Sequence, residues 1–140
     1  MLTVVAALIE REEKLLVCQR RRGYSFELMW EFPGGKMEPG ESPEEALARE
    51  LHEELAIHAK IGQEVHRTQH QYAEMPEALE LLFFSANAEP SEIRNLVFEQ
   101  IQWREPRSLL ELNFLLADRE LIEKLASGKL RLRSNRYGGG

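Results

Sequence analysis

Only one cysteine, Cys18, occurs in the 140 residues, so no internal disulfide can form and no cysteine cluster can hold a metal. Long apolar runs are missing too: none approaches the roughly 20 residues of a membrane span. The opening stretch MLTVVAALIEREEK lacks the basic start and small-residue cleavage site of a secretory signal. A cytoplasmic protein with no membrane partner is the expectation. An excess of positive charge is also absent, since the net charge is −6, which argues against a nucleic-acid polymer as partner. No repeat or long linker divides the chain. One domain with room for a core is expected over 1–128, followed by a basic, glycine-ended tail at 129–140 that should fray.

What is present is a local excess of carboxylates. Between Glu41 and Glu54 stand six glutamates and a single arginine, Arg49, a sum of −5, which leaves the rest of the chain close to neutral. Like charges at i,i+3 and i,i+4 repel on a helix, so this cluster needs a reason. Ser42, Pro43 and Glu45 have the spacing of an N-cap, a first helical position and a capping-box partner. The helix should run over 43–55. On it Glu50, Glu53 and Glu54 share one face, at the edge of a stripe of Leu47, Leu51 and Leu55 that must be buried. Arg49 is within reach of Glu45 and Glu53. A solvated helix face accounts for Glu44 and Glu45. It accounts poorly for Glu50, Glu53 and Glu54, whose nearest cationic side chains are Arg49 and His52. Three oxygen donors on one face suit a hard divalent cation, Mg²⁺ or Mn²⁺.

Around this helix the chain reads as a hairpin over 2–20, a loop to Trp30, and a break at Pro33-Gly34-Gly35. Strands follow over 57–72 and 78–88, then a short strand in FEQIQW and helices in PRSLLEL and ADRELIEKLAS, the last ended by Gly128.

Gly35, Glu41, Arg49-Glu50-Leu51, Glu53-Glu54 and Ile57 resemble, at every spacing, the Nudix box. The one departure is Ala56, where that pattern has glycine. LLVCQRR, WEFPGGK and FEQIQW are similar to the MutT-type branch. The resemblance implies an α/β (α+β) fold with a mixed sheet sandwiched between helices. It also implies a Mg²⁺-dependent enzyme cleaving a nucleoside triphosphate to monophosphate and pyrophosphate, with oxidised purines such as 8-oxo-dGTP or cytidine nucleotides as substrates. Hydrolysis of ADP-ribose or a dinucleoside polyphosphate, or a non-catalytic nucleotide sensor, are the alternatives. The assembly would be a monomer or homodimer.

Position by position, the resemblance puts Glu50, Glu53 and Glu54 on the metal, joined by the Gly34 carbonyl and by Glu99, with Glu92 as rival for the last place. Arg49 and Glu41 become a pair fixing helix to loop. Arg20 and Lys36 fall on the substrate side. Phe32 either stacks on the base or belongs to the core; Trp30 is cleft wall or core. Asp118 either reads the base or caps the last helix. His66 and His70 are expected on an exposed strand face rather than as zinc ligands, and Cys18 in the core. Ala56 either adopts a left-handed conformation in place of glycine or lets the helix run on.

Overall fold

The computed structural model describes residues 1–132. Strand β1 (Leu2–Arg11) is the spine. One of its edges runs parallel to β6 (Leu79–Asn87), whose other neighbour is antiparallel β5 (Lys60–His70). β1 also pairs first with β4 (Gly34–Lys36) and then, at Glu10 and Arg11, with β2 (Lys14–Gln19). β2 in turn carries β3 (Trp30–Glu31) and β7 (Gln100–Arg104). The sheet is mixed, and helices α1 (Pro43–Leu55) and α2 (Arg119–Ser127) complete the α+β architecture.

Val5 through Ile9 are all buried. A strand covered on both faces shows no polar alternation, which is why LTVVAALIE is apolar throughout. Val5, Ala7 and Ile9 share one core with Leu47, Leu51 and Leu55 of α1. Ala6 and Leu8 point the other way, into a core shared with Leu121, Ile122 and Leu125 of α2. Cys18 is fully buried in the α1 core, and Trp30 lies in the α2 core.

Helix α1 has the expected bounds. Ser42 Oγ accepts from the Glu45 amide at 3.1 Å, and the Glu45 carboxylate accepts from the Ser42 amide at 2.9 Å. Glu45 is therefore spent on the cap rather than on Arg49. The helix ends at Ala56 in the left-handed region, φ 62 and ψ 28, with its N–H bonded to the His52 carbonyl. Of the two outcomes for Ala56, this is the strained one. The helix end is held from outside: the amides of Arg94 and Leu96 donate to the carbonyls of Leu55 and Glu54 at 2.9 and 3.0 Å. Ala56→Gly relieves the Cβ contact but loosens the unfolded chain. A net gain of a few tenths to about 1 kcal/mol is expected, read as a higher Tm with activity within a few-fold of wild type.

Two expectations are corrected. Gly34-Gly35 does not end regular structure but lies in β4, because the side-chain-free edge lets the chain press onto β1: a Cβ on Gly34 would stand 1.9 Å from the Val5 carbonyl oxygen. Strand β5 starts at Lys60, the left-handed exit at Ala56 having turned the chain. Residues 106–111, read as helical in PRSLLEL, form a 3₁₀ helix. Leu130 packs against the α2 core and Leu132 is buried in it; the rest of the tail expectation lies outside the described residues.

Candidate active site

The segment leaving β2, the β3–β4 turn and Glu54 in the last turn of α1 border a cavity of about 480 Å³. Arg20, Glu31, Phe32, Gly34, Lys36, Glu54 and Asp118 all line it. Six of these seven were singled out from sequence; Glu31 was not.

The carboxylate end is built by α1. Arg49 holds the helix to its preceding loop, donating from Nε and Nη2 to the two Glu41 oxygens at 2.6 and 3.0 Å and from Nη2 to the Lys36 carbonyl at 3.1 Å. Its remaining nitrogen reaches Glu50 at 3.2 Å and Glu53 at 3.4 Å. This cluster of acids holds the Arg49 guanidinium firmly protonated. Glu50 occupies the space a side chain at position 35 would need; a Cβ on Gly35 would be 2.4 Å from its carboxyl carbon. Glu54 lies deeper. It is bonded to Glu50, and it accepts the Gly34 N–H at 3.1 Å. Burial first, then the bond to and charge of Glu50, push its pKa up to about 9. Glu53 stays on the rim, its side chain 56% exposed.

Among the described residues no three His, Cys, Asp or Glu side chains stand together as a metal-holding group. The cause is visible: Glu53 leans to Arg49, and Gly34 offers Glu54 its amide. The donor set nevertheless fits a hard cation. Buried Glu54 is bonded to a second carboxyl, Glu50, and to the Gly34 amide, and Gly35 makes room for Glu50, an arrangement that a divalent cation would neutralise. Glu99 and Glu92 do not line the cavity; the Glu99 carboxylate accepts the Arg22 amide at 3.3 Å.

The opposite end is aromatic. Phe32 is 3% exposed and packed by Phe83 and Phe114, so it is core with one edge in the cavity. Tyr72 and Phe26, neither foreseen, form a wall with ring centroids 4.9 Å apart. The Tyr72 hydroxyl accepts the Ala117 N–H at 2.9 Å, which sets the next residue, Asp118. Asp118 is 3% exposed and makes no capping bond to α2. Burial, reinforced by the Glu31 charge, raises its pKa well above the carboxylate range.

His66 departs from expectation. Its ring turns inward beneath α2, 7% exposed, 3.6 Å from Glu120 and against Phe83. Burial, helped by Lys124, lowers its pKa from 6.5. A depressed base is neutral in the fold, so stability is fully present above about pH 6.5 and is lost as pH falls through the folded value. The Tm of wild type should therefore fall more between pH 7.5 and 5 than that of His66→Phe.

Comparison with known proteins shows the family. The NUDIX domain family matches residues 1–125, and the chain belongs to that family of hydrolases. It is 35% identical over 123 residues to an 8-oxo-dGTP diphosphatase of Haemophilus influenzae, covering 86% of this chain and 89% of that one. It is 52% identical over 65 residues to a CTP pyrophosphohydrolase of Escherichia coli K12, a match spanning 46% of this chain and about half, 48%, of that protein. The solution structure of the E. coli ORF135 protein superposes with a TM-score of 0.78 at 32% identity, over 92% of this chain and 91% of that one. A MutT protein of Methanosarcina mazei Go1 shares the fold, with a TM-score of 0.81 at 22% identity over 93% and 96%. No helix among the described residues is long and apolar enough to cross a membrane.

Proposed function

We propose that the protein hydrolyses (deoxy)nucleoside triphosphates to monophosphate and pyrophosphate with Mg²⁺, Mn²⁺ being able to substitute. The observation that carries this is one cavity with Glu54, itself bonded to Glu50 outside the lining, at one end and an aromatic wall with a buried Asp118 at the other. Glu50, Glu53 and Glu54 would hold the ion, with the Gly34 carbonyl as a further donor; Glu99 would join them only by leaving the Arg22 amide that it accepts here. A bound divalent cation supplies neutralised phosphate charge and a more acidic water. Arg49 keeps Glu50 and Glu53 oriented. Lys36, exposed at the rim, meets the phosphate chain. Phe32 and Tyr72 present apolar surface to a base, and Asp118 offers its edge a hydrogen bond. Water adds at the β-phosphorus, the bond from that phosphorus to the oxygen bridging to the α-phosphate breaks, the nucleoside monophosphate leaves with that oxygen, and the water oxygen stays in the pyrophosphate.

Likeness to a CTP pyrophosphohydrolase and an 8-oxo-dGTP diphosphatase makes cytidine nucleotides and oxidised guanine nucleotides the first substrates to try. We place the enzyme in the cytoplasm, as a monomer or homodimer. The test is kcat/KM across CTP, dCTP, 8-oxo-dGTP, GTP, ADP-ribose and a dinucleoside polyphosphate. A triphosphate should lead by at least about tenfold. A clear preference for ADP-ribose or the dinucleotide would replace this reading.

A further inference from the structure

We propose that Arg20 is a positioning residue for the base end of the cavity: clamped to Glu31, it shapes the aromatic wall through the 21–28 loop instead of gripping the phosphates. The proposal rests on the nucleotide-hydrolase reading above. It begins with what the guanidinium already holds. Nη1 donates to both Glu31 oxygens at 3.2 and 3.1 Å, Nε to the Ser25 carbonyl at 2.7 Å, and Nη2 to Ser25 Oγ at 3.3 Å. An arginine has five N–H donors in a fixed fork. All three nitrogens are already engaged, so the paired contact that makes arginine a phosphate clamp would have to displace one of these bonds.

The loop it holds is unusual. Phe26 and Leu28 have φ of 55 and 63, a region that bulky side chains rarely enter. Such residues persist only where their surroundings over-determine them. Gln19 Nε2 donates to the Leu28 carbonyl at 3.0 Å and the Met29 amide to the Phe26 carbonyl at 3.1 Å, and Arg20 holds the segment from both sides. Its side chain grips the Ser25 carbonyl, one residue before Phe26, and its main-chain carbonyl accepts the Leu28 amide at 2.9 Å. The Gly23 amide, bonded to Glu27 at 2.8 Å, closes the loop on itself.

The strain is spent on placing one ring. Phe26 lies against Tyr72, and Tyr72 bonds the amide of Ala117, next to Asp118. A continuous chain of contacts thus runs from Glu31, beside Gly34 and Glu54 in the cavity lining, through Arg20, Ser25, Phe26 and Tyr72 to Asp118. Arginine rather than lysine is required, because only a planar fork can join a carboxylate to a carbonyl in this way.

The test compares wild type, Arg20→Lys, Phe26→Ala and the double variant for kcat and KM on several bases. Arg20→Lys should raise KM about tenfold with kcat within about threefold and should flatten the preference among bases. Phe26→Ala should do the same, and the double variant should be no worse than the poorer single, since both cut one chain. KM effects that multiply, or a kcat loss of about a hundredfold alike for every base, would show a direct phosphate contact and overturn the proposal. A readout without substrate keeps the two readings apart. In nucleotide-free ¹⁵N spectra, Arg20→Lys should shift the amides of Ala117 and Asp118; unmoved amides overturn the latch even if turnover is normal. If Arg20→Lys does not fold, Glu31→Gln, which removes the clamp's charge and keeps its shape, is read by the same two amides. A wild type that turns over no nucleotide would defeat the hydrolase reading, while the amide shifts would still decide the latch.

Discussion

Glu54→Gln is expected to lower turnover by about three orders of magnitude, the scale of losing an ion that supplies several kcal/mol to the transition state. The same substitution should make the metal-free protein more stable at alkaline pH. In wild type, burial and Glu50 raise the Glu54 pKa from 4.5 to about 9, so the folded state holds a proton that the unfolded state releases. Stability is then fully present below pH 4.5 and is lost as pH rises through 9. Glutamine has nothing to titrate, so its Tm should fall less between pH 6 and 9. Adding millimolar Mg²⁺ should raise the wild-type Tm, because an ion that binds only the folded state stabilises it, and should move Glu54→Gln much less. Undiminished turnover in Glu53→Gln combined with Glu54→Gln would remove the metal assignment altogether.

Asp118→Ala should reduce kcat/KM for the preferred base by about 10- to 100-fold and for the others by less, as a lost hydrogen bond inside a closed pocket does. The structure sharpens this expectation. Asp118 is buried and makes no cap bond to α2, so its removal forfeits no helix cap. Tm should stay level or rise, since a buried carboxyl beside the Glu31 charge carries a desolvation cost. An equal loss for every base together with a lower Tm would return Asp118 to a purely structural role.

The glutamate helix was legible because everything that defines it is local. Cap, proline, leucine stripe and acidic face lie within thirteen helical residues and one cap, and the observed helix has the expected ends. Strands β1, β2 and β6 were legible for the same reason, their apolar runs being buried on both faces. The other end of the cavity was not, because three distant segments build it. Tyr72 follows β5, Phe26 sits in a loop after β2, and Asp118 precedes α2; no periodicity links such positions. Glu31 escaped notice beside a more conspicuous proline and glycine pair, though a lone acid between Trp30 and Phe32 is itself a signal. His66 was misjudged because an alternating strand does not say which face a helix fifty residues later will cover.

The central claim is metal-dependent cleavage at the β-phosphorus of a nucleoside triphosphate, and hydrolysis in ¹⁸O-labelled water tests it most directly. With Mg²⁺ and the preferred nucleotide, mass spectrometry should find one ¹⁸O in the pyrophosphate and none in the monophosphate, with no products when the cation is chelated. Label in the monophosphate, inorganic phosphate as the first product, or turnover indifferent to chelation would contradict it.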